Sequence, residues 1–261
     1  MHYCRTILLR LSFVVLVVLF IQLSLSISPV LSQDITIGTQ TWTSKNLDVS
    51  TFRNGEAIPE AKNKAEWRKA SDNNAPAWCY YEFDEKNGKK YGKLYNWHAV
   101  IDSRGLAPDG YRLPYDEDYD QLIRDFGGID KAGEKLKDTI GWKSISNNGK
   151  KQCSECSDWS ENKRKKTICP ICKGSKYISV PEAKITGGDN GSNFSALPAG
   201  CCNLQGDFVE IEEHGYWWST SGRDWLNAWC IGISFKSIEA YKYYDNKSFG
   251  CSVRCIKDEK S

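Results

Sequence analysis

The sequence predicts an α+β fold, because two amphipathic helices in its first half are followed by a series of short strands. After Pro114, apolar residues recur at helical spacing and define one buried stripe: Tyr119, Leu122, Ile123 and Phe126. A second, shorter helix is predicted over residues 131–137. Beyond residue 193 the chain alternates short apolar runs with turn residues, which is typical of an antiparallel sheet.

The composition favours a folded domain and argues against a nucleic-acid binder. The chain has 261 residues, with 35 Lys+Arg against 33 Asp+Glu, and 12% of its residues are aromatic. That length is enough to bury a sizeable core, and the aromatic content argues against disorder. Nucleic-acid-binding proteins normally carry a strong basic excess, which this chain lacks. We therefore expect no nucleic-acid partner.

The elements of the first half follow from periodicity and turn residues. Apolar and polar residues alternate around Gly38 in residues 35–47, which predicts an opening β-hairpin. The polar residues 53–77 are expected to form a surface excursion, and Trp78–Tyr81 a short aromatic strand. Residues Leu94–Val100 carry apolar side chains at helical spacing and predict a helix with one buried face.

The main helix and the later strands have clear boundaries. The helix is expected to begin at Tyr115 or Asp116, where acidic residues favour the positive end of the helix dipole, and to end at Gly127. Six later segments predict strands: Phe194–Pro198, Phe208–Ile211, Tyr216–Ser219, Ala228–Phe235, Ala240–Tyr244 and Ser252–Ile256.

The N-terminus has the features of a secretory signal peptide. Arg5 and Arg10 provide positive charge before an apolar run over residues 11–25, and Val30–Ser32 provides a cleavage site before Gln33. We expect residues 1–32 to be removed and the protein to be exported. A retained anchor is the alternative, but the run is shorter than the roughly 20 residues of a helical span. No later segment is apolar enough to cross a bilayer, so no membrane span is expected after cleavage.

Residues 150–180 differ in composition from the rest and are expected to form an inserted, zinc-ribbon-like loop. This loop contains two CxxC pairs, formed by Cys153, Cys156, Cys169 and Cys172. Four thiolates at this spacing suit a tetrahedral Zn²⁺ ion, so we favour a structural zinc site. Two disulfides are the first alternative, because an exported protein meets an oxidising environment. A dithiol redox site is the second alternative.

Seven motifs in order carry a family resemblance. They are Trp42–Leu47, Tyr91–Val100, Gly105–Pro114, Gly133–Lys137, Asn193–Gly200, Tyr216–Ser221 and Ser252–Cys255. Together they resemble the Fibrobacter succinogenes major paralogous domain, to which we assign residues 33–257, with residues 258–261 as a tail. The resemblance implies an exported bacterial protein with a C-type-lectin-like fold, in which two helices pack on short antiparallel strands. It brings no set of catalytic residues, and the cysteine-rich loop is not part of the usual pattern.

Apart from Cys4 in the predicted signal peptide, six cysteines lie outside the inserted loop. The implied C-type-lectin-like fold suggests two disulfides, Cys79–Cys255 and Cys230–Cys251. Cys201 and Cys202 remain, and they are adjacent in sequence. A bridge between neighbours is strained, so each is expected to be free or to pair elsewhere.

An aromatic cluster near the C-terminus suggests a ligand-binding surface. Trp217 and Trp218 are expected to pack inside, because they belong to a family motif. Trp225 is the better candidate for an exposed ring that stacks on a sugar, with Arg223, Asp224 and Asn227 as partners for hydroxyl groups. The predicted function is therefore non-catalytic: recognition of a glycan or a protein at or outside the cell surface.

Two alternatives stay open. The first is a metal-dependent oxidoreductase, because the implied fold is similar to that of the formylglycine-generating oxidases, which bind copper through two cysteines; Cys251 and Cys255 would be their counterparts. The second is a purely structural surface protein. The histidines do not indicate catalysis: we expect His98 to be a packed or capping residue and His214 to be solvated in a turn.

Overall fold

The computed structural model describes residues 34–146, 150–152, 177–179, 184–185 and 187–258. The helices are α1 (Lys64–Asp72), α2 (Glu85–Tyr91), α3 (Trp97–Val100), α4 (Asp116–Asp125) and α5 (Ile129–Leu136), with a 3₁₀ turn at Tyr81–Phe83. The predicted signal peptide and the four cysteines of the predicted zinc site lie outside the described residues.

Short strands account for the rest of the regular structure. In the first half they are β1 (Asp34–Ile37), β2 (Gln40–Thr43), β3 (Trp78–Cys79), β4 (Leu94–Tyr95) and β5 (Tyr111–Arg112). Around the inserted loop they are β6 (Ile145–Ser146), β7 (Lys150–Gln152), β8 (Tyr177–Ser179) and β9 (Lys184–Ile185). The remainder are β10 (Cys201–Cys202), β11 (Phe208–Val209), β12 (His214–Gly222), β13 (Asn227–Ser234), β14 (Ala240–Asn246) and β15 (Ile256–Lys257).

Two antiparallel sheets organise the domain. One has the strand order β1-β2-β15-β5, so the last strand pairs with the opening hairpin, with Ile256 opposite Trp42. The other has the order β12-β13-β14 and contains the longest strands. A parallel bridge between Trp217 and Ser252 connects the second sheet to the segment that leads into β15. The predicted α+β class is therefore confirmed.

Helix α4 forms where the sequence predicts it, because its first turn is well capped. The Asp118 carboxylate accepts the Tyr115 backbone N–H at 2.7 Å and also receives two hydrogen bonds from the Arg112 guanidinium, at 2.6 and 2.8 Å. Its predicted stripe is buried at Tyr119, Leu122 and Ile123, and Phe126 is partly buried. Helix α5 likewise corresponds to the predicted second helix.

The predicted surface excursion over residues 53–77 is mostly exposed, but it contains a helix that the sequence pattern did not indicate. This segment contains α1, and Trp67 in that helix is 1% exposed, with its indole N–H donating to the Asn203 carbonyl at 2.8 Å. Asn63 caps the helix by accepting the Glu66 N–H. A single large apolar residue gives no periodic stripe, so the periodicity of the sequence could not reveal this helix.

Three other boundaries differ from the expected ones. Leu94–Val100 is not one helix: β4 ends at Tyr95, and Asn96 then caps the short α3 by accepting the Ala99 N–H at 3.0 Å. Phe194–Pro198 forms no strand and contributes an isolated bridge between Ala196 and Lys137. In the predicted strand Ser252–Ile256, only Ile256 belongs to a strand of the structure. Ser252 makes an isolated bridge to Trp217.

The two adjacent tryptophans of β12 are fully buried, as expected, and they point into different parts of the core. Trp217 packs with Trp42 and Phe194, and Trp218 packs with Tyr95 and the cysteines near the C-terminus. Successive strand residues face opposite sides of a sheet, so this strand is buried on both faces. It therefore forms the centre of the domain, with its far end emerging at the β12–β13 turn.

Candidate functional site

The turn between β12 and β13 is closed by a dense set of short hydrogen bonds. The backbone N–H groups of Arg223 and Asp224 donate to the Asn227 carbonyl at 3.0 and 3.2 Å. The Asp224 carboxylate accepts the N–H groups of Leu226 and Asn227, both at 2.8 Å. Lys247 donates its ammonium group to the Asp224 carbonyl at 2.7 Å. These bonds hold the turn in one conformation.

Two of the four predicted ligand-binding residues are engaged within this turn. The Asn227 side-chain amide donates to both carboxylate oxygens of Asp224, at 3.1 and 3.0 Å. The same hydrogen bonds, together with those from the backbone, lower the pKa of Asp224, because they favour the charged carboxylate. Asp224 and Asn227 therefore shape the turn, and their capacity to bind a ligand's hydroxyl groups is already used in part.

The other two predicted residues are presented to solvent in different ways. Trp225 is 83% exposed, the highest value among the large apolar residues that the structure describes. The Arg223 guanidinium lies 3.4 Å from the ring centroid of Tyr244 and 5.5 Å from that of Trp229. The Trp229 and Tyr244 rings meet edge to face at 5.8 Å. We call Arg223, Trp225, Trp229 and Tyr244 the aromatic tip.

A charged flank borders the aromatic tip. The Lys242 ammonium group lies 5.7 Å from the Trp229 ring and contacts two carboxylates at the start of α4, Asp116 at 2.7 Å and Asp120 at 3.0 Å. Burial raises the pKa of Asp116. Sequence reasoning did not include Lys242, Trp229 or Tyr244 in the site. Trp229 and Tyr244 come together because the register of β13 on β14 places them opposite each other.

The structure describes two histidines, His98 and His214, and both are partly enclosed. His98 is half-buried, and burial lowers its pKa. His214 does not lie in a solvated turn, as the sequence suggested; it begins β12, and its ring stacks on Tyr216 with a centroid distance of 5.8 Å. Its Nδ1 is 3.7 Å from the Glu210 carboxylate, which in turn accepts the Tyr216 hydroxyl at 2.7 Å.

The six cysteines that the structure describes are buried and carry free thiols, and the pairings Cys79–Cys255 and Cys230–Cys251 stay predictions. Cys79 and Cys255 belong to different parts of the core, and the thiol that interacts with Cys79 is that of Cys202. Cys230 and Cys251 are close enough to influence each other's ionisation. The pairing of Cys230 with Cys251 therefore stays a prediction.

The surroundings of Cys251 and Cys255 do not suit an open metal site. Both thiols are buried, and burial raises the pKa of Cys255 to about 12 and that of Cys251 well above its ordinary value. A thiol must lose its proton to bind a metal, and these surroundings favour the neutral form. Across the parts of the chain that the structure describes, no group of three or more His, Cys, Asp or Glu side chains is placed to hold a metal ion.

Comparison with known proteins identifies the family. The model of the Fibrobacter succinogenes major domain matches residues 35–257. The chain belongs to the Fibrobacter succinogenes major domain family. In this family member the matched region includes the aromatic tip and the residues of the inserted loop. No curated protein and no solved structure matches the chain.

None of the described helices of this Fibrobacter succinogenes major domain protein has the length and hydropathy needed to cross a membrane. The family membership agrees with the motifs read from the sequence, including Trp42–Leu47 at the start and Ser252–Cys255 at the end.

Proposed function

We propose that this protein is a non-catalytic recognition protein that binds a glycan through the aromatic tip. The observation that carries the proposal is the exposure of Trp225, a residue that is 83% accessible within a hydrogen-bonded turn. Leaving a large aromatic ring in water forfeits the free energy of its burial, so a tryptophan exposed on such a turn is typical of a binding surface.

The construction of the turn supports binding with little loss of conformational entropy. Asp224, Asn227 and Lys247 bond to one another and to the backbone around Trp225. A ligand would therefore meet a backbone that is already ordered, and less of its binding free energy would be lost in ordering the protein.

The chemistry of the aromatic tip suits the apolar face of a sugar ring. The C–H groups of a pyranose pack on an aromatic ring through dispersion and through the negative face of its π system. Trp225 and the 41%-exposed Tyr244 offer such faces, and the Arg223 guanidinium beside Tyr244 provides donors for hydroxyl groups. A protein ligand is the second possibility, because tryptophan, tyrosine and arginine are also enriched at protein interfaces.

Export and a C-type-lectin-like fold belong to the same proposal. Recognition would take place at or outside the cell surface, after cleavage of the signal peptide predicted at residues 1–32. The zinc site predicted in the inserted loop would be structural. The pairing of β15 with the opening hairpin supports a fold in which the two ends of the domain meet, as the lectin-like assignment requires. An experimentally determined structure, superposed on C-type lectins, tests that assignment.

The burial of Cys251 and Cys255 favours this proposal over the oxidoreductase alternative. Both thiols are enclosed, and burial raises their pKa values far above neutral pH, so both are protonated. An absence of copper-dependent thiol oxidation by the metal-supplemented protein is therefore expected. Turnover that is lost in Cys255→Ser would instead favour the enzyme.

A binding experiment with matched variants tests the proposal. Mature protein is screened on a broad glycan panel, and the affinity for any retained glycan is measured by calorimetry. Trp225→Ala should weaken binding by about tenfold or more, as expected for a central aromatic contact. Ile140→Ala is the control, because Ile140 is also highly exposed, at 68%, but belongs to a different segment.

The outcomes separate the proposed ligands. Saturable glycan binding that is lost in Trp225→Ala and kept in Ile140→Ala supports glycan recognition. No binding across the panel contradicts it. Binding that both variants retain would place the ligand elsewhere on the surface.

A further inference from the structure

The adjacent cysteines Cys201 and Cys202 face opposite sides of the strand that they form. Successive residues of a strand point to opposite faces, and β10 is buried on both. Cys201 packs with Trp78, Tyr95 and Trp218 in one part of the core. Cys202 packs in another part, around Trp67, which also contains Cys79. The two neighbours therefore belong to separate surroundings and have different potential partners.

Backbone pairing sets Cys202 directly against Gly250. Its N–H donates to the Gly250 carbonyl at 3.0 Å, and the Gly250 N–H donates to the Cys202 carbonyl at 2.7 Å. A Cβ on Gly250 would lie 3.2 Å from the Cys202 Cβ and 2.9 Å from the Trp67 ring. The glycine thus leaves room for the Cys202 side chain on the face that it shares with Cys79.

The Cys79 thiol interacts directly with the Cys202 thiol, and both residues are fully buried. Cys79 lies in β3, opposite Leu94 of β4, and is enclosed in the same part of the core as Cys202. Cys255, the partner suggested by family resemblance, belongs to the other part of the core, together with Tyr95 and Tyr111.

We infer that Cys79 and Cys202 form a disulfide when the protein folds in an oxidising compartment. The chemistry is thiol–disulfide exchange with an external disulfide, such as that of a thiol-oxidising protein or oxidised glutathione. The two thiols lose two protons and two electrons and form one S–S bond. The S–S bond of the external disulfide breaks, takes up those electrons and protons, and yields two thiols.

This bridge would covalently join β3 to β10. The segment between them contains α4, α5 and the inserted loop at residues 150–180. The disulfide would therefore close a covalent loop of the chain, and the inserted loop lies within it. It would also explain why two cysteines are adjacent without forming a strained bridge with each other.

Disulfide mapping on the exported protein tests the inference, and the sequence is well suited to it. Free thiols are first alkylated in denaturant at mildly acidic pH, which prevents thiol exchange, and the unreduced protein is digested with trypsin. Cleavage after Lys69 and Lys86 isolates Cys79, and cleavage after Lys184 and Arg223 leaves Cys201 and Cys202 on one peptide. Cleavage after Arg254 separates two further cysteines, Cys251 and Cys255.

The expected result is a linked pair of peptides that joins Cys79 to the peptide with Cys201 and Cys202 and that separates on reduction. The variants Cys201→Ser and Cys202→Ser form a matched pair for assigning the sulfur. The link should persist in Cys201→Ser and be lost in Cys202→Ser, where Cys79 becomes alkylated. Cys255→Ser is the control and should leave the link intact.

Three results would overturn the inference, and the first two need no variant. They are a link between Cys79 and the peptide of Cys255, full alkylation of Cys79 in exported wild-type protein, or a link that survives in Cys202→Ser. If Cys202→Ser does not accumulate, the link in Cys201→Ser still decides between the two adjacent cysteines.

Discussion

The Arg254 guanidinium is buried against the side chain of Asn46, and its Nε donates to the Asn46 Oδ1 at 2.8 Å. The Trp217 indole N–H donates to the same oxygen, also at 2.8 Å. The remaining guanidinium nitrogens donate to three carbonyls, of Thr43 at 2.8 Å, Phe194 at 2.7 Å and Ser195 at 3.0 Å. A single side chain near the C-terminus thus connects the opening hairpin, the segment after the inserted loop and the central strand.

Replacement of Arg254 should strongly destabilise the protein. The residue is 1% exposed, and burial lowers its pKa to about 9, but its hydrogen bonds satisfy carbonyls that would otherwise be unpaired. We expect Arg254→Lys to lower the free energy of unfolding by about 3–5 kcal/mol, because a lysine cannot reproduce the planar set of donors. Urea unfolding measures the change.

Arg124→Lys, at an exposed helix position, is the control and should change stability by less than about 0.5 kcal/mol. Equal effects of the two substitutions would show that the buried network contributes little.

Lys137 should make stability increase with pH in the alkaline range. Its ammonium group is buried, donates to the Ser237 carbonyl and lies 5.2 Å from the Trp142 ring. Burial lowers its pKa from 10.5 to about 8. Between these values the unfolded chain binds more protons than the folded one, so the free energy of unfolding rises with pH, by about 1–3 kcal/mol in total.

Urea unfolding of wild type and Lys137→Met at pH 7.5 and pH 10 tests this prediction. The rise should be smaller in Lys137→Met, and the exposed Lys131→Met should behave like wild type. The same rise in all three proteins would refute the assignment to Lys137.

Asp245 should have the opposite effect in the acidic range. Burial raises its pKa from 3.8 to about 6, and the Glu210 charge contributes in the same direction. Between these values the folded protein binds more protons than the unfolded chain, so stability falls as pH rises from 4 to 6. We expect this residue to contribute about 1–2 kcal/mol, after allowance for its partial contact with solvent.

Asp245→Asn should remove that contribution, because the amide does not titrate. Unfolding midpoints at pH 4 and pH 7 are compared for wild type, Asp245→Asn and the control Asp130→Asn, whose carboxylate is exposed in α5. If Asp245→Asn keeps the wild-type difference between the two pH values, another group is responsible.

Truncation of Trp67 should lower the stability of the protein strongly, whereas truncation of Trp225 should hardly change it. Trp67 is buried beneath Gly250 and bonded to Asn203, so Trp67→Ala should cost about 3–5 kcal/mol of stability. Trp225→Ala should change stability by less than about 0.5 kcal/mol, because its ring is exposed. Thermal unfolding of both variants measures the contrast. A large destabilisation by Trp225→Ala would mean that its ring has a packing role and would weaken the proposal of a binding surface.

Local patterns were sufficient for the elements with strong periodicity or clear turns. The stripe at Tyr119, Leu122 and Ile123 predicted α4, and the alternation around Gly38 predicted the opening hairpin. The burial of Trp217 and Trp218 and the exposure of Trp225 were also predicted correctly. The helix and the hairpin depend on neighbours within a few residues, which a sequence displays directly, whereas the burial of the two tryptophans was predicted from their family motif.

The details of the candidate site were only partly accessible. Arg223 and Trp225 were identified from their side chains, but the role of Asp224 and Asn227 in closing the turn appears only in the geometry. Tyr244 joins Arg223 because β14 pairs with β13 in one particular register. A register shift of one residue would place Tyr244 on the other face of the sheet.

The sequence by itself determined the family, the α+β class and the presence of an exposed tryptophan beside an arginine, because motifs and periodicity are properties of the chain. Only the tertiary structure decided that Cys202 approaches Cys79, that Arg254 connects three distant segments, and that Trp67 belongs to the core. These contacts join residues far apart along the chain. Their partners are selected by strand register and by the shape of the packed core, which no local pattern of residues specifies.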